Sequence, residues 1–272
     1  MQLAHLALFC CPTCQGALTL NRGNEQLGSV VCPKGHTFRI IHGVLDLLKR
    51  ARPQSIAAWV NELAPTAWLC ERIWRPYALT LLSGESFPYT RELAWLSQHV
   101  PDTSRTIVDV ACSNGLYARA LATSHPQAQI IGIDRSLPML RQAVARAQAL
   151  QLPISYVRAD ARALPFVSAS IDAVVVGGSW NEMEALPTVF KEMARISAPQ
   201  ARLVAMALTQ SPRRVGQFVQ RMLGTGGTQF FDPTTLAQQL TQFGWYDIHS
   251  QVTGIVWQGV ATRAKGKVYG QS

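Results

Sequence analysis

From about residue 105 to residue 210 the chain alternates short apolar runs with amphipathic stretches, the texture of consecutive βα units. Thr106–Ala111 (TIVDVA) reads as a buried strand and Leu116–Thr123 as the helix after it. Gln129–Asp134 (QIIGID) reads as the second strand, followed by a helix capped by Ser136 and reaching about Leu150. Ile154–Asp160 and Ile171–Gly177 read as the third and fourth strands. A helix around Glu184–Ile196 and a strand over Arg202–Leu208 continue the alternation. Pro233–Phe243 begins like a helix, with Asp232 as N-cap and proline in its first turn. Tyr246–Val252 and Ile255–Arg263 close the series as an antiparallel pair across a Thr253-Gly254 turn. The expectation is an α/β protein.

The remaining segments have other textures. Residues 9–48 hold four of the six cysteines, among short strand-like runs. Residues 53–100 are rich in Ala, Leu and Trp at helical spacing, interrupted by Pro76 and Pro88. Residues 211–232 are rich in Gly and Arg and read as a mobile loop. These shifts divide the chain into a module over 1–50, a helical linker or lid over 51–103 and a main domain over 104–272.

Composition changes this picture little. The 272 residues are 48% hydrophobic and 15% charged, ordinary for a globular protein. No apolar run reaches the length of a transmembrane helix. The apolar stretch Leu6–Phe9 is too short for a signal-peptide core and lacks a basic flank, so a cytoplasmic protein with reduced cysteines is expected. The net charge of +9 makes nucleic acid the first partner to consider, yet the basic residues are scattered without a like-charge run.

Ligands of open parallel sheets bind beyond the carboxyl ends of the strands. Three features fall there. Val108-Asp109-Val110-Ala111-Cys112-Ser113-Asn114-Gly115 is a strand ending in a small-residue loop that opens a helix, where backbone approach and free N–H groups are available. Asp134 ends the second strand, where a carboxylate accepts from ribose hydroxyls. Asp160 ends the third, placed to accept from an adenine amino group. A dinucleotide-binding dehydrogenase would also want an acid at Asp134, but Cys112-Ser113-Asn114 breaks the G-x-G-x-x-G it requires. Asp172, at the start of its strand, reads as structural.

The ordered series resembles class I SAM-dependent methyltransferases. VDVACSNGLY resembles their first motif, with Asp109 as the acidic residue and Gly115 as the last glycine, while Ala111 and Ser113 stand where glycine is commoner. IGIDRSLPML resembles the second motif, implying roles for Asp134, Arg135, Ser136 and Met139. VRADARALPFVSASIDAVV resembles the third and fourth, with Asp160 and Ala161 flanking adenine. Cys112 and Gly177 complete the cofactor set, Gly177 by permitting close approach. The resemblance, over about 104–264, implies S-adenosyl-L-methionine as cofactor. It also implies a Rossmann-like, mostly parallel seven-stranded sheet with an antiparallel last strand.

Cys11 and Cys14 (C-x2-C) and Cys32 and His36 (C-x3-H) supply three thiolates and an imidazole, a full tetrahedral set for structural zinc. Cys10 competes with Cys11, but Cys11 keeps the C-x2-C spacing. So small a module lacks a core sufficient to fold alone, and metal would supply stability. The segment resembles the zinc-ribbon-like N-terminal module of bacterial 23S rRNA guanine methyltransferases and of plastid-type "type 11" methyltransferases. The linker AWLCERIWRPY is more similar to the latter.

The main domain also resembles ubiquinone and menaquinone methyltransferases, which implies a small, hydrophobic acceptor. RNA base methylation and non-catalytic SAM binding are the alternatives. No Asn/Asp-Pro-Pro-aromatic motif follows the fourth strand. Ser179, Trp180 and Asn181 are candidate acceptor contacts there, and Trp59, Trp68, Trp74, Tyr77, Phe87 and Tyr89 a candidate aromatic lid. His42, His249 and Glu182 are candidate bases, without a decisive choice.

Overall fold

In a computed structural model, which describes residues 1–48, 87–225 and 227–265, eleven strands join in one sheet. Four come from the N-terminal segment: β1 (Thr19–Gly23), β2 (Leu27–Val31), β3 (Thr37–Ile41) and β4 (Val44–Asp46). Seven follow: β5 (Thr106–Val110), β6 (Gln129–Asp134), β7 (Ile154–Arg158), β8 (Ile171–Gly177), β9 (Ser197–Leu208), β10 (Trp245–Thr253) and β11 (Val256–Arg263). Their order is β1-β2-β3-β4-β7-β6-β5-β8-β9-β11-β10. Strands β4, β7, β6, β5, β8 and β9 are parallel, and β11 runs antiparallel to both its neighbours. The expected seven-stranded arrangement is present, and β4 extends it by pairing with β7.

After β4 the chain resumes at β5, steps outward through β6 to β7, and then returns to the other side of β5 with β8. That reversal opens a crevice at the carboxyl ends of β5 and β8. Six helices are described: α1 (Tyr89–His99), α2 (Leu116–Ser124), α3 (Leu137–Ala149), α4 (Leu186–Ile196), α5 (Arg214–Gly224) and α6 (Pro233–Gln242). Ser136 caps α3 by accepting from Met139 N, and Asp232 caps α6 by accepting from Thr235 N, as their side chains suggest. Among the described residues no helix is long and apolar enough to cross a membrane.

The central strands are apolar on both faces because both are covered. Ile107, Ile130, Ile154 and Val175 face a core shared with α1, α2 and α3. Val108, Ile131, Val157 and Val174 face a second core containing Val189, Phe190 and Met193 of α4 and Leu236 and Leu240 of α6. The N-terminal segment shares that second core through Phe9, Phe38, Ile40 and Leu45. Phe9 packs on Phe166 at 5.2 Å, and Cys10 N donates to the Pro165 carbonyl. Gln2 N and His5 Nδ1 both meet the Ser155 hydroxyl. The module thus borrows the core it is too small to build itself.

Residues 211–232 differ from the expected loop, since α5 occupies much of them. Buried Gln220 explains its position: its amide accepts from Ser211 N and donates to the Thr209 carbonyl. The tryptophans and Tyr77 of the expected lid lie outside the described residues, as does most of the 51–103 segment.

Candidate functional site

At the carboxyl end of β5 the backbone passes through three left-handed residues two apart: Ala111 (φ 56°), Ser113 (φ 51°) and Gly115 (φ 76°). Such alternation turns successive N–H groups toward one side, a concavity suited to negative partners. The Asp134 carboxylate occupies the neighbouring strand end. Its Oδ2 accepts from Ser113 N and its Oδ1 from Ser136 N, both at 2.8 Å. Burial raises its pKa above the ordinary aspartate value, against the opposing pull of these backbone donors. The result is a carboxylate locked in orientation between two loops.

The other residues expected at this end are arranged around it. Asp109 is buried beneath the loop, its Oδ2 accepting from Ala118 N and so joining β5 to the start of α2. Cys112 is buried, its N–H on the Ile133 carbonyl, and burial beside Asp109 and Asp134 pushes its thiol well up. The Ser113 hydroxyl reaches Met139 Sδ at 3.5 Å. Asp160 is paired within its own loop. Its carboxylate receives a two-pronged contact from Arg162, at 3.0 Å from Nε and 2.7 Å from Nη2, with Arg135 Nη1 at 3.8 Å. Burial works to raise this carboxyl, but the Arg162 bonds and the Arg135 charge prevail and hold it below the usual range. Ala161 is half-buried beside it.

Two contributors carry no signal in the sequence pattern, Tyr117 and Glu92. A Cβ on Gly177 would stand 3.0 Å from the Tyr117 ring, so that ring lies against the end of β8. The Tyr117 hydroxyl donates to Glu92 Oε1 at 2.5 Å, tying α1 to α2 beside the crevice. Both residues are buried. No motif links a helix at 89–99 to one at 116–124; only the folded sheet brings them together.

The loop after β8 is largely structural. Ser179 Oγ donates to the Ala111 carbonyl at 3.2 Å, joining the two loops of the crevice. Trp180 is fully buried between Phe190 and Trp257, with centroids 5.0 and 6.2 Å away. Asn181 donates to the Leu208 and Gln229 carbonyls and accepts from Leu208 N, which uses its side chain as a clamp. His42 sits in the turn before β4, at the amino end of the parallel strands, and His249 lies exposed on edge strand β10. Neither joins the crevice. Asp172 accepts from Arg105 N and Thr106 N, and so fastens the beginning of β5.

Cys11, Cys14, Cys32 and His36 converge, with their ligand atoms all within 4.8 Å of one another. Cys14 Sγ lies 3.5 Å from Cys32 Sγ, and His36 Nδ1 lies 3.6 and 3.4 Å from Cys11 and Cys32. Tetrahedral bonds of about 2.3 Å to sulfur and 2.0 Å to nitrogen imply ligand edges of about 3.5–3.8 Å, so the set fits one zinc ion. Cys10 points elsewhere, its thiol on Gln15 Oε1.

Residues 107–200 match the family described as "Methyltransferase domain". Demethylmenaquinone methyltransferase of Thermus thermophilus is 31% identical over 118 residues, 43% of this chain and 54% of that protein. Its Deinococcus radiodurans namesake is 35% identical over 158 residues, 58% of this chain and 62% of that protein. The chain therefore spans little more than half the length of these relatives. Haemonchus contortus phosphoethanolamine N-methyltransferase 2, solved with S-adenosyl-L-methionine, superposes with TM-score 0.59 at 14% identity, covering 73% of this chain and 59% of that one. The fold is that of the Rossmann-like SAM-dependent methyltransferases.

Proposed function

We propose that this chain is a SAM-dependent methyltransferase acting on a small, apolar acceptor. The observation that carries the reading is Asp134, held by Ser113 N and Ser136 N at the mouth of the β5–β6–β8 crevice with its carboxylate oriented for ribose hydroxyls. Ala111, Cys112, Ser113 and Gly115 form the backbone cradle, and Asp109 braces it from below. Arg135, Ser136 and Met139 line the ribose side, Asp160 and Ala161 the adenine side, and Gly177 the approach to the methyl group. The sulfonium supplies the methyl group. The protein's task is alignment and exclusion of water. Among the described residues no side chain of the crevice stands out as a base, which suits an acceptor that presents an already nucleophilic carbon or oxygen.

The acceptor class is supported by the demethylmenaquinone relatives. RNA is a second reading, favoured by the net charge of +9. The division into a metal module over 1–50, a linker over 51–103 and a cofactor domain over 104–272 is part of the proposal. So are one structural zinc on Cys11, Cys14, Cys32 and His36, and a cytoplasmic setting that keeps these thiols reduced. The test is calorimetric titration with S-adenosyl-L-methionine beside Asp134→Ala, then transfer of labelled methyl to a demethylated naphthoquinol and to bulk RNA. Micromolar binding lost in the variant, with label on the quinol, supports the reading. Label on RNA alone replaces the acceptor class, and no binding by folded protein overturns the whole.

A further inference from the structure

One rung of the sheet carries alternating charges across four neighbouring strands. Arg39 on β3 is in register with Asp46 on β4, Asp46 with Arg158 on β7, and Arg158 with Asp134 on β6. Arg158 Nη1 stands 3.2 Å from Asp46 Oδ2, and both side chains are largely buried. The same guanidinium donates through Nε to the Arg135 carbonyl at 2.8 Å. Arg135 is the middle residue of the turn in which Ser136 N donates back to Asp134 Oδ1. The backbone adds two ties, Leu47 N to the Arg158 carbonyl and Ala159 N to the Asp134 carbonyl.

The turn presenting the Asp134 carboxylate is therefore fastened from behind by an arginine, and that arginine is aimed by a carboxylate from the N-terminal module. A guanidinium suits the task because its rigid fork serves two acceptors at once, whereas an ammonium is a single point. A charge-assisted bond to a carbonyl also restrains direction more strongly than a neutral one. We propose that Arg158, oriented by Asp46, is a positioning residue for ribose recognition, making cofactor affinity depend on the last strand of the N-terminal module. The inference rests on the reading of Asp134 as the ribose acceptor.

The test is calorimetric titration of the full chain with S-adenosylhomocysteine and with its 2′-deoxyribose and 3′-deoxyribose analogues. The proteins compared are the unaltered chain, Arg158→Met and Asp46→Asn, with folding checked by circular dichroism. Asp46→Asn keeps the shape of the side chain and reads the same coupling should Arg158→Met fold poorly. The expected result is a clear preference of the unaltered chain for the intact ribose. Each variant should weaken S-adenosylhomocysteine by about tenfold and lose most of that preference. Folded variants that keep full affinity, or that weaken all three ligands equally and so retain the preference, overturn the proposal. An unaltered chain that binds the three ligands alike removes the ribose reading itself, a failure visible before any variant is measured.

Discussion

Two of the three left-handed positions in the loop after β5 should respond very differently to substitution. Gly115 has φ 76°, and a Cβ there would overlap the Tyr156 hydroxyl and stand 3.0 Å from Cε1 and Cζ of that ring. The ring has little room to retreat, because it is fully buried, with Gly132 also close to its Cδ1–Cε1 edge. Gly115→Ala therefore meets two costs, about 1–2 kcal/mol for a left-handed alanine and about 1–3 kcal/mol for overpacking. The expected loss is about 2–5 kcal/mol of unfolding free energy. Ala111 already has a side chain at φ 56°. Ala111→Gly lifts about 1 kcal/mol of strain, while the freer unfolded chain takes back about 0.4–1 kcal/mol. The net change should lie within about 1 kcal/mol of zero. Urea unfolding followed by tryptophan fluorescence, with the slope checked for constancy, measures both. The reasoning is refuted if Gly115→Ala unfolds within 1 kcal/mol of the unaltered chain, or if Ala111→Gly loses more than Gly115→Ala.

Three further outcomes follow from the same geometry. If ribose hydroxyls donate to the ionised Asp134, whose pKa is raised by burial, cofactor affinity should be flat near neutrality and fall as pH drops through that raised value, by about tenfold per unit; calorimetry across pH checks this, and a profile breaking only at or below the ordinary aspartate range contradicts it. The sign for folding is opposite, since protonation of Asp134 below its raised value relatively stabilises the free protein. Asp172→Ala strips two backbone N–H groups of their acceptor and should cost about 1–3 kcal/mol in urea unfolding with cofactor affinity unchanged. If Cys11, Cys14, Cys32 and His36 hold zinc, elemental analysis should find one ion per chain, and a chelator or Cys14→Ser should lower the melting temperature, because β3 begins one residue after His36.

The central strands were legible because parallel strands covered on both faces read as continuous apolar runs, and Thr106–Val110 and Ile171–Gly177 stand where such runs occur. Caps were legible for a local reason: Ser136 and Asp232 bond within three residues of themselves. The Asp134 position followed from the end of an apolar run. What escaped the pattern depends on contacts distant in sequence. Helix α5 hides behind Gly216, Gly224 and paired arginines, and is held by Gln220 reaching the end of β9. Trp180 follows a strand in a loop, where an aromatic reads as a ligand contact, yet it closes inward on Phe190 and Trp257. The Asp160–Arg162 pair depends on loop geometry, and the joining of β4 to β7 rests on a strand of only three residues.

The pairing of β4 with β7 has a consequence for how much of this chain can be made alone. Without residues 1–48, β7 would become an edge strand whose Ile154, Ser155, Tyr156 and Val157 are all buried in the intact protein. Its free N–H and C=O groups would template pairing with another chain, beside an apolar face stripped of Phe9, Phe38 and Leu45. A fragment beginning near residue 104 contains every residue proposed to bind the cofactor, yet it should aggregate. The N-terminal strands thus act as an edge guard for the sheet, independently of any ion they hold.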